Sequence, residues 1–117
     1  MKKENIIQDK SYAFALNIVR VSQDLIHNRK EYVLSKQLLK SGTSIGANIE
    51  EAIGGQTKKD FYSKLTISYK EARETRFWIR LLSDSNILAL KDQKKLLDDI
   101  EELLRIIVSI QKTIRNS

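Results

Sequence analysis

The chain has 117 residues, 41% hydrophobic and 31% charged, which is enough apolar matter for one domain with its own core and too much for a disordered segment. It contains no proline, four glycines and no cysteine, so strand-and-turn folds lack their punctuation, long helices are permitted, and disulfides and thiolate metal sites are excluded. A net charge of +6 favours polyanionic partners.

No apolar run approaches the roughly 20 residues of a membrane span, and the first residues lack a secretory apolar core. With no cysteine to protect, a cytoplasmic location is expected. The positive excess is uneven: residues 1–30 and 57–90 carry +3 each, against −1 for 31–56 and +1 for 91–117.

Taken in chain order, Phe14, Ile18, Val21 and Leu25 recur at spacings of four, three and four and predict a first helix over about 9–28, starting near Asp9 or Ser11. A basic link, Asn28 to Glu31, leads into a second helix over about 33–53. Its stripe comprises Leu34, Leu38, Ser41, Ile45, Asn48, Ile49 and Ala52. The middle of that helix is small: Ser41, Gly42, Ser44, Gly46 and Ala47. Each glycine costs a helix roughly 1 kcal/mol against alanine, so close approach of a neighbouring helix is the expected compensation, with Asn48 hydrogen-bonded at the edge of the seam. Gly54-Gly55 ends the helix, as glycine beyond a C-terminus does.

Thr57 is placed to cap a third helix over about 57–84, with Asp60 three residues on. Phe61, Leu65, Ser68, Ala72, Thr75, Ile79 and Leu82 form its core stripe. Ile67, Phe77, Trp78 and Leu81 lie off that stripe and predict a second buried side, most simply an interface with another copy of the chain; a broad interior face is the alternative. Asp92 is read as the cap of a fourth helix over about 92–115, where Leu96, Ile100, Leu103, Ile107, Ile110 and Ile114 run at heptad spacing. Four long helices with short connections predict an all-α, antiparallel up-down-up-down four-helix bundle.

Two motifs make the chain recognisable: Thr43-Ser44-Ile45-Gly46-Ala47-Asn48-Ile49-Glu50-Glu51-Ala52, and, after Phe61, Ala72-Arg73-Glu74-Thr75-Arg76-Phe77-Trp78-Ile79-Arg80-Leu81-Leu82. Together they resemble the bacterial four-helix-bundle family named after proteins encoded in the intervening sequences of 23S ribosomal RNA genes. The resemblance covers nearly the whole chain. It implies a small antiparallel bundle, most members of which have no established activity. Related accessory proteins of diversity-generating retroelements form pentameric rings that bind RNA and a reverse transcriptase, so the resemblance allows a homo-oligomer, a pentamer among its forms, and an RNA or protein partner.

Most catalytic chemistry is missing from the sequence. A single histidine, His27, cannot supply the Glu-x-x-His pairs of a di-iron bundle, and no cofactor or metal is expected. Serine and cysteine nucleophile schemes lack their partners, and no glycine-rich phosphate loop follows a strand. One enzyme reading survives: Arg20 and His27 are spaced like the Arg/His pair of helical RNases of the HEPN type, though the same two residues also suit a solvated arginine and a histidine near a helix C-terminus.

The stronger functional feature is basic. Lys58, Lys59, Lys70, Arg73, Arg76 and Arg80 fall within roughly 120° of one another on the third helix, with Tyr62 and Tyr69 interleaved. Such a stripe suits phosphate contacts with aromatic stacking on bases. The expected protein is therefore a non-enzymatic oligomer that binds RNA or DNA through this face. The alternative is an oligomeric scaffold whose partner protein sits on Ile67, Phe77, Trp78 and Leu81.

Overall fold

The structure, a computed structural model, describes residues 3–117, with side chains from Asn5 onward. Four helices make up the fold: α1 (Lys3–His27), α2 (Leu34–Ile53), α3 (Lys58–Asp84) and α4 (Leu90–Arg115). Each packs on its neighbours in sequence and α1 closes against α4, while among the described residues the backbones of the diagonal pairs α1–α3 and α2–α4 stay apart across the core. Cross-helix pairs run in opposite directions in every case. Lys10 meets Glu102 and Arg20 meets Asp92 on α1–α4, Gln8 meets Glu50 and Ile18 meets Gly42 on α1–α2, Lys64 meets Glu51 and Ser68 meets Ile45 on α2–α3, and Thr66 meets Gln111 and Arg76 meets Glu101 on α3–α4. The result is the antiparallel four-helix bundle that the heptad spacings call for, 47 × 22 × 20 Å.

The stripes read from the sequence are buried except at Leu34, Asn48, Phe61 and Ile114, which are half-buried. Phe14, Ile18, Val21 and Leu25 of α1, Leu38, Ile45 and Ile49 of α2, Leu65, Ala72, Ile79 and Leu82 of α3, and Leu96, Ile100, Leu103, Ile107 and Ile110 of α4 join a single core cluster. Helix α1, however, begins at Lys3 rather than near residue 9. Ile7 and Ser11 continue the four-three rhythm upstream and are both buried. Ser11 is therefore no cap: its hydroxyl donates to Gln8 O within the helix at 3.2 Å.

The small centre of α2 does admit close neighbours. A Cβ on Gly42 would stand 2.9 Å from Ile18 Cγ1, and one on Gly46 would stand 3.4 Å from the Ser11 carbonyl and hydroxyl oxygens. On the opposite seam the buried Ser68 hydroxyl donates to Ile45 O at 2.9 Å, a polar tie between α3 and α2 that only short side chains allow. Asn48 bonds within its own helix instead, its Nδ2 donating to Ser44 O at 2.8 Å.

The helix ends hold three surprises. Glu31 caps α2 from outside the helix: its carboxylate accepts from the backbone N–H groups of Val33, Leu34 and Ser35 at 3.2, 3.1 and 2.6 Å. Gly54 and Gly55 do end α2, but neither takes a left-handed conformation; that role falls to Lys30 (φ 57°) and Asn86 (φ 58°). At Asn86 the chain makes a Schellman turn, with Ile87 N–H on Leu82 O and Asn86 N–H on Ser83 O. Thr57 caps α3 as expected, accepting from Asp60 N–H at 3.0 Å. Asp92 does not cap α4, which starts two residues earlier after Ala89.

Candidate nucleic-acid interface

The basic residues of α3 sit where they do because the helix turns its core stripe toward α2 and α4 and leaves the stripe of Lys58, Tyr62, Tyr69, Arg73 and Arg76 along the α4 edge. Antiparallel packing then lays the C-terminal half of α4 beside them. The sequence read the α3 stripe alone; the fold divides it between two open grooves and adds three cations from α4.

The first, an arginine groove of about 590 Å³, lies between the middle of α3 and the end of α4, and Arg73, Arg76, Arg105 and Lys112 line it together with Tyr69. Arg73 Nη1 donates to the Tyr69 hydroxyl at 3.2 Å, and its guanidinium carbon lies 5.9 Å from the centre of that ring, so the arginine is pre-oriented by a hydrogen bond and a cation–π contact. Arg76 forms an ion pair across the helices with Glu101 at 2.5 Å. Among the described residues Glu101 is the groove's one lining carboxylate.

The second, a lysine groove of about 710 Å³, lies at the start of α3. Lys58, Lys59, Lys70 and Arg115 surround it, no carboxylate of the described residues lines it, and much of its wall is apolar: Tyr62, Ile67 and Ile114. Arg115 Nη1 donates to the Tyr62 hydroxyl at 2.9 Å, and Lys58 Nζ donates to Ser117 Oγ at 3.1 Å. Arg80, the sixth cation of the stripe, is exposed further along α3 and lines neither groove.

Arg105, Lys112 and Arg115 were missed because α4 reads as acidic in its first half. Asp98, Asp99, Glu101 and Glu102 mask a basic C-terminal end, and only the antiparallel fold brings that end to α3.

The four apolar residues off the α3 stripe are separated in a similar way. Phe77 is 55% exposed, Ile67 39% and Leu81 37%, whereas Trp78 is half-buried and packs on the core. Its indole N–H donates to Glu74 at 3.0 Å, and its ring meets Phe77 edge to face at 5.0 Å.

The Arg20/His27 pair is drawn to two different partners. Arg20 Nη2 bonds the buried Asp92 carboxylate at 2.6 Å, and His27 Nε2 shares a hydrogen bond with Gln23 at 2.8 Å. Among the described residues no cluster of His, Asp or Glu is suited to holding a metal ion, and no helix is long and apolar enough to cross a membrane.

The family model described as 23S rRNA-intervening sequence protein matches residues 3–109. The chain belongs to that family. A member of the S23 ribosomal protein family from Bacteroides thetaiotaomicron VPI-5482, described as a protein of unknown function, has a crystal structure similar to this one. Its TM-score is 0.92 and its identity 42%, over 95% of this chain and 99% of the other. A search of curated proteins returned no match. Membership of the 23S rRNA-intervening sequence family agrees with the bundle, and Gly46 of the Thr43–Ala52 motif, with Gly42 just before it, sits at the α1–α2 crossing.

Proposed function

We propose that this protein is a non-enzymatic, cytoplasmic nucleic-acid-binding adaptor that works as a homo-oligomer and neutralises phosphates with the α3–α4 face. The observation that carries this reading is the gathering of eight cations from two helices into adjoining grooves with a single lining carboxylate, already paired. Such a surface binds by counterion release. Neutralising on the order of six phosphates gives a slope of log K against log salt of about −4 for a single strand. Copies joined through the exposed Phe77 and Leu81, beside Trp78, would multiply the effect by avidity.

The test is reversal of Arg73, Arg76 and Arg80 to Glu, with binding of a labelled structured RNA followed at low and moderate salt and fold checked by circular dichroism. A folded triple variant that loses binding supports the site; one with undiminished affinity refutes it. The scaffold reading draws on the same exposed Phe77 and Leu81. An oligomer indifferent to RNA and DNA at every salt concentration would favour it.

A further inference from the structure

We propose that the lysine groove is a slot for an unpaired nucleobase, so that the protein selects single-stranded over duplex nucleic acid; this inference rests on the nucleic-acid reading above.

The two halves of the groove's chemistry have to be met by one ligand. Lys58, Lys59, Lys70 and Arg115 stand around it with no carboxylate among the lining residues, so the occupant carries several negative charges. Its wall is apolar and partly open, with Ile67 39% exposed and Tyr62 and Ile114 half-buried beside it, so the occupant also presents a flat face that gains by leaving water.

A nucleotide supplies both, provided its base is turned out of a stack. In a duplex the base faces are covered by their neighbours, and reaching one costs unstacking and unpairing of a few kcal/mol. A single strand offers its faces without that cost, and proteins that bind single strands pair a positive groove with aromatic platforms.

Local geometry holds the slot open. The hydrogen bond from Arg115 to the Tyr62 hydroxyl fixes the ring as a wall and keeps the guanidinium at its edge, where a phosphate following the base would lie. The two grooves share no lining residue but adjoin on α3, where Lys70 of the lysine groove directly follows Tyr69 of the arginine groove and Arg73 and Arg76 lie beyond. From Lys58 to Arg76 the path is about 27 Å along α3, long enough for a strand to run from the slot onto the arginines.

The experiment compares a short single-stranded RNA carrying 2-aminopurine with the same strand in a duplex, titrated against the full chain at moderate salt. The expected result is single-strand binding tighter by roughly five- to one-hundred-fold, the worth of one stacked base, with a change of 2-aminopurine fluorescence on binding. Ile67→Gln keeps every charge and is helix-compatible on a partly exposed face; it should lower single-strand affinity severalfold toward the duplex level and leave duplex affinity unchanged. Tyr62→Phe, which keeps the ring but removes the acceptor that holds Arg115 at its edge, should weaken single-strand preference less than Ile67→Gln does. Equal binding of both forms, unchanged by Ile67→Gln, overturns the slot and leaves the phosphate-binding surface standing. Binding of neither form overturns both.

Discussion

Gly42→Ala should lower the stability of this bundle, whereas Gly46→Ala, one turn further along the same helix, should raise it. Each change removes a glycine from the interior of α2 and gains up to about 1 kcal/mol of helix propensity. What differs is what the new methyl group meets. At position 42 it would stand 2.9 Å from Ile18 Cγ1 and 3.0 Å from Cγ2.

Ile18 is wholly buried and branched at Cβ, which holds it to essentially one χ1 rotamer in a helix, so relief requires α1 and α2 to separate. Overpacking of that kind costs about 1–3 kcal/mol. After the propensity gain, a net loss of about 1 kcal/mol remains, or about 4 °C in Tm for a chain of this size. At position 46 the nearest atoms, Ser11 O and Oγ at 3.4 Å, are in ordinary contact, and the variant should keep its gain and melt about 2–4 °C higher.

Urea and thermal unfolding followed by circular dichroism measure both, at one fixed protomer concentration because assembly makes Tm concentration-dependent. In an Ile18→Ala background, itself destabilised by about 2–5 kcal/mol, Gly42→Ala should turn favourable. Equal shifts of the same sign for the two glycine variants would show that the crossing is not sterically tight and would refute overpacking at Ile18.

Asp92 is buried and Arg20 is its ion-pair partner, so Arg20→Ala should cost about 1–3 kcal/mol by stranding a carboxylate, and adding Asp92→Asn should recover part of that loss in a double-mutant cycle. Glu31 predicts a pH dependence. Burial tends to raise its pKa, but acceptance of the Leu34, Ser35 and Val33 backbone N–H groups outweighs this and holds the carboxyl below its usual range. Its stabilisation is therefore present above the unfolded-state pKa and fades as pH falls through the lowered value; Glu31→Gln should cost about 1 kcal/mol at pH 7 and flatten the acid limb of an unfolding titration. Glu71 has the opposite sign. Burial first, and then the charge of Glu74, raise its pKa against the pull of Lys40, so Glu71→Gln should stabilise the protein at neutral pH and lose that advantage as the pH drops through the carboxylate range.

Core positions were legible in the sequence because a helix repeats its faces every three or four residues, and an apolar residue at each repeat has to find cover. Hence Phe14 to Leu25, Leu65 to Leu82 and Leu96 to Ile110 could be assigned before any packing was known. The same logic failed at the start of α1, where Ser11 and Asp9 imitate a helix cap. A buried serine at a close crossing cannot be told from a capping one until its neighbour is known, and here that neighbour is Gly46. Asp92 misled in the same way, since only its distance to Arg20, 72 residues earlier, reveals an ion-pair partner in place of a cap.

The candidate interface was half legible. The basic stripe of α3 belongs to one helix and follows from its periodicity. Its division into an arginine-rich groove and an apolar-walled lysine groove depends on which residues of α4 lie opposite. That pairing is set by loop lengths and by interdigitation of side chains across the seam. Periodicity reports the direction of a residue from its own helix axis; only the tertiary structure decides what stands there to meet it.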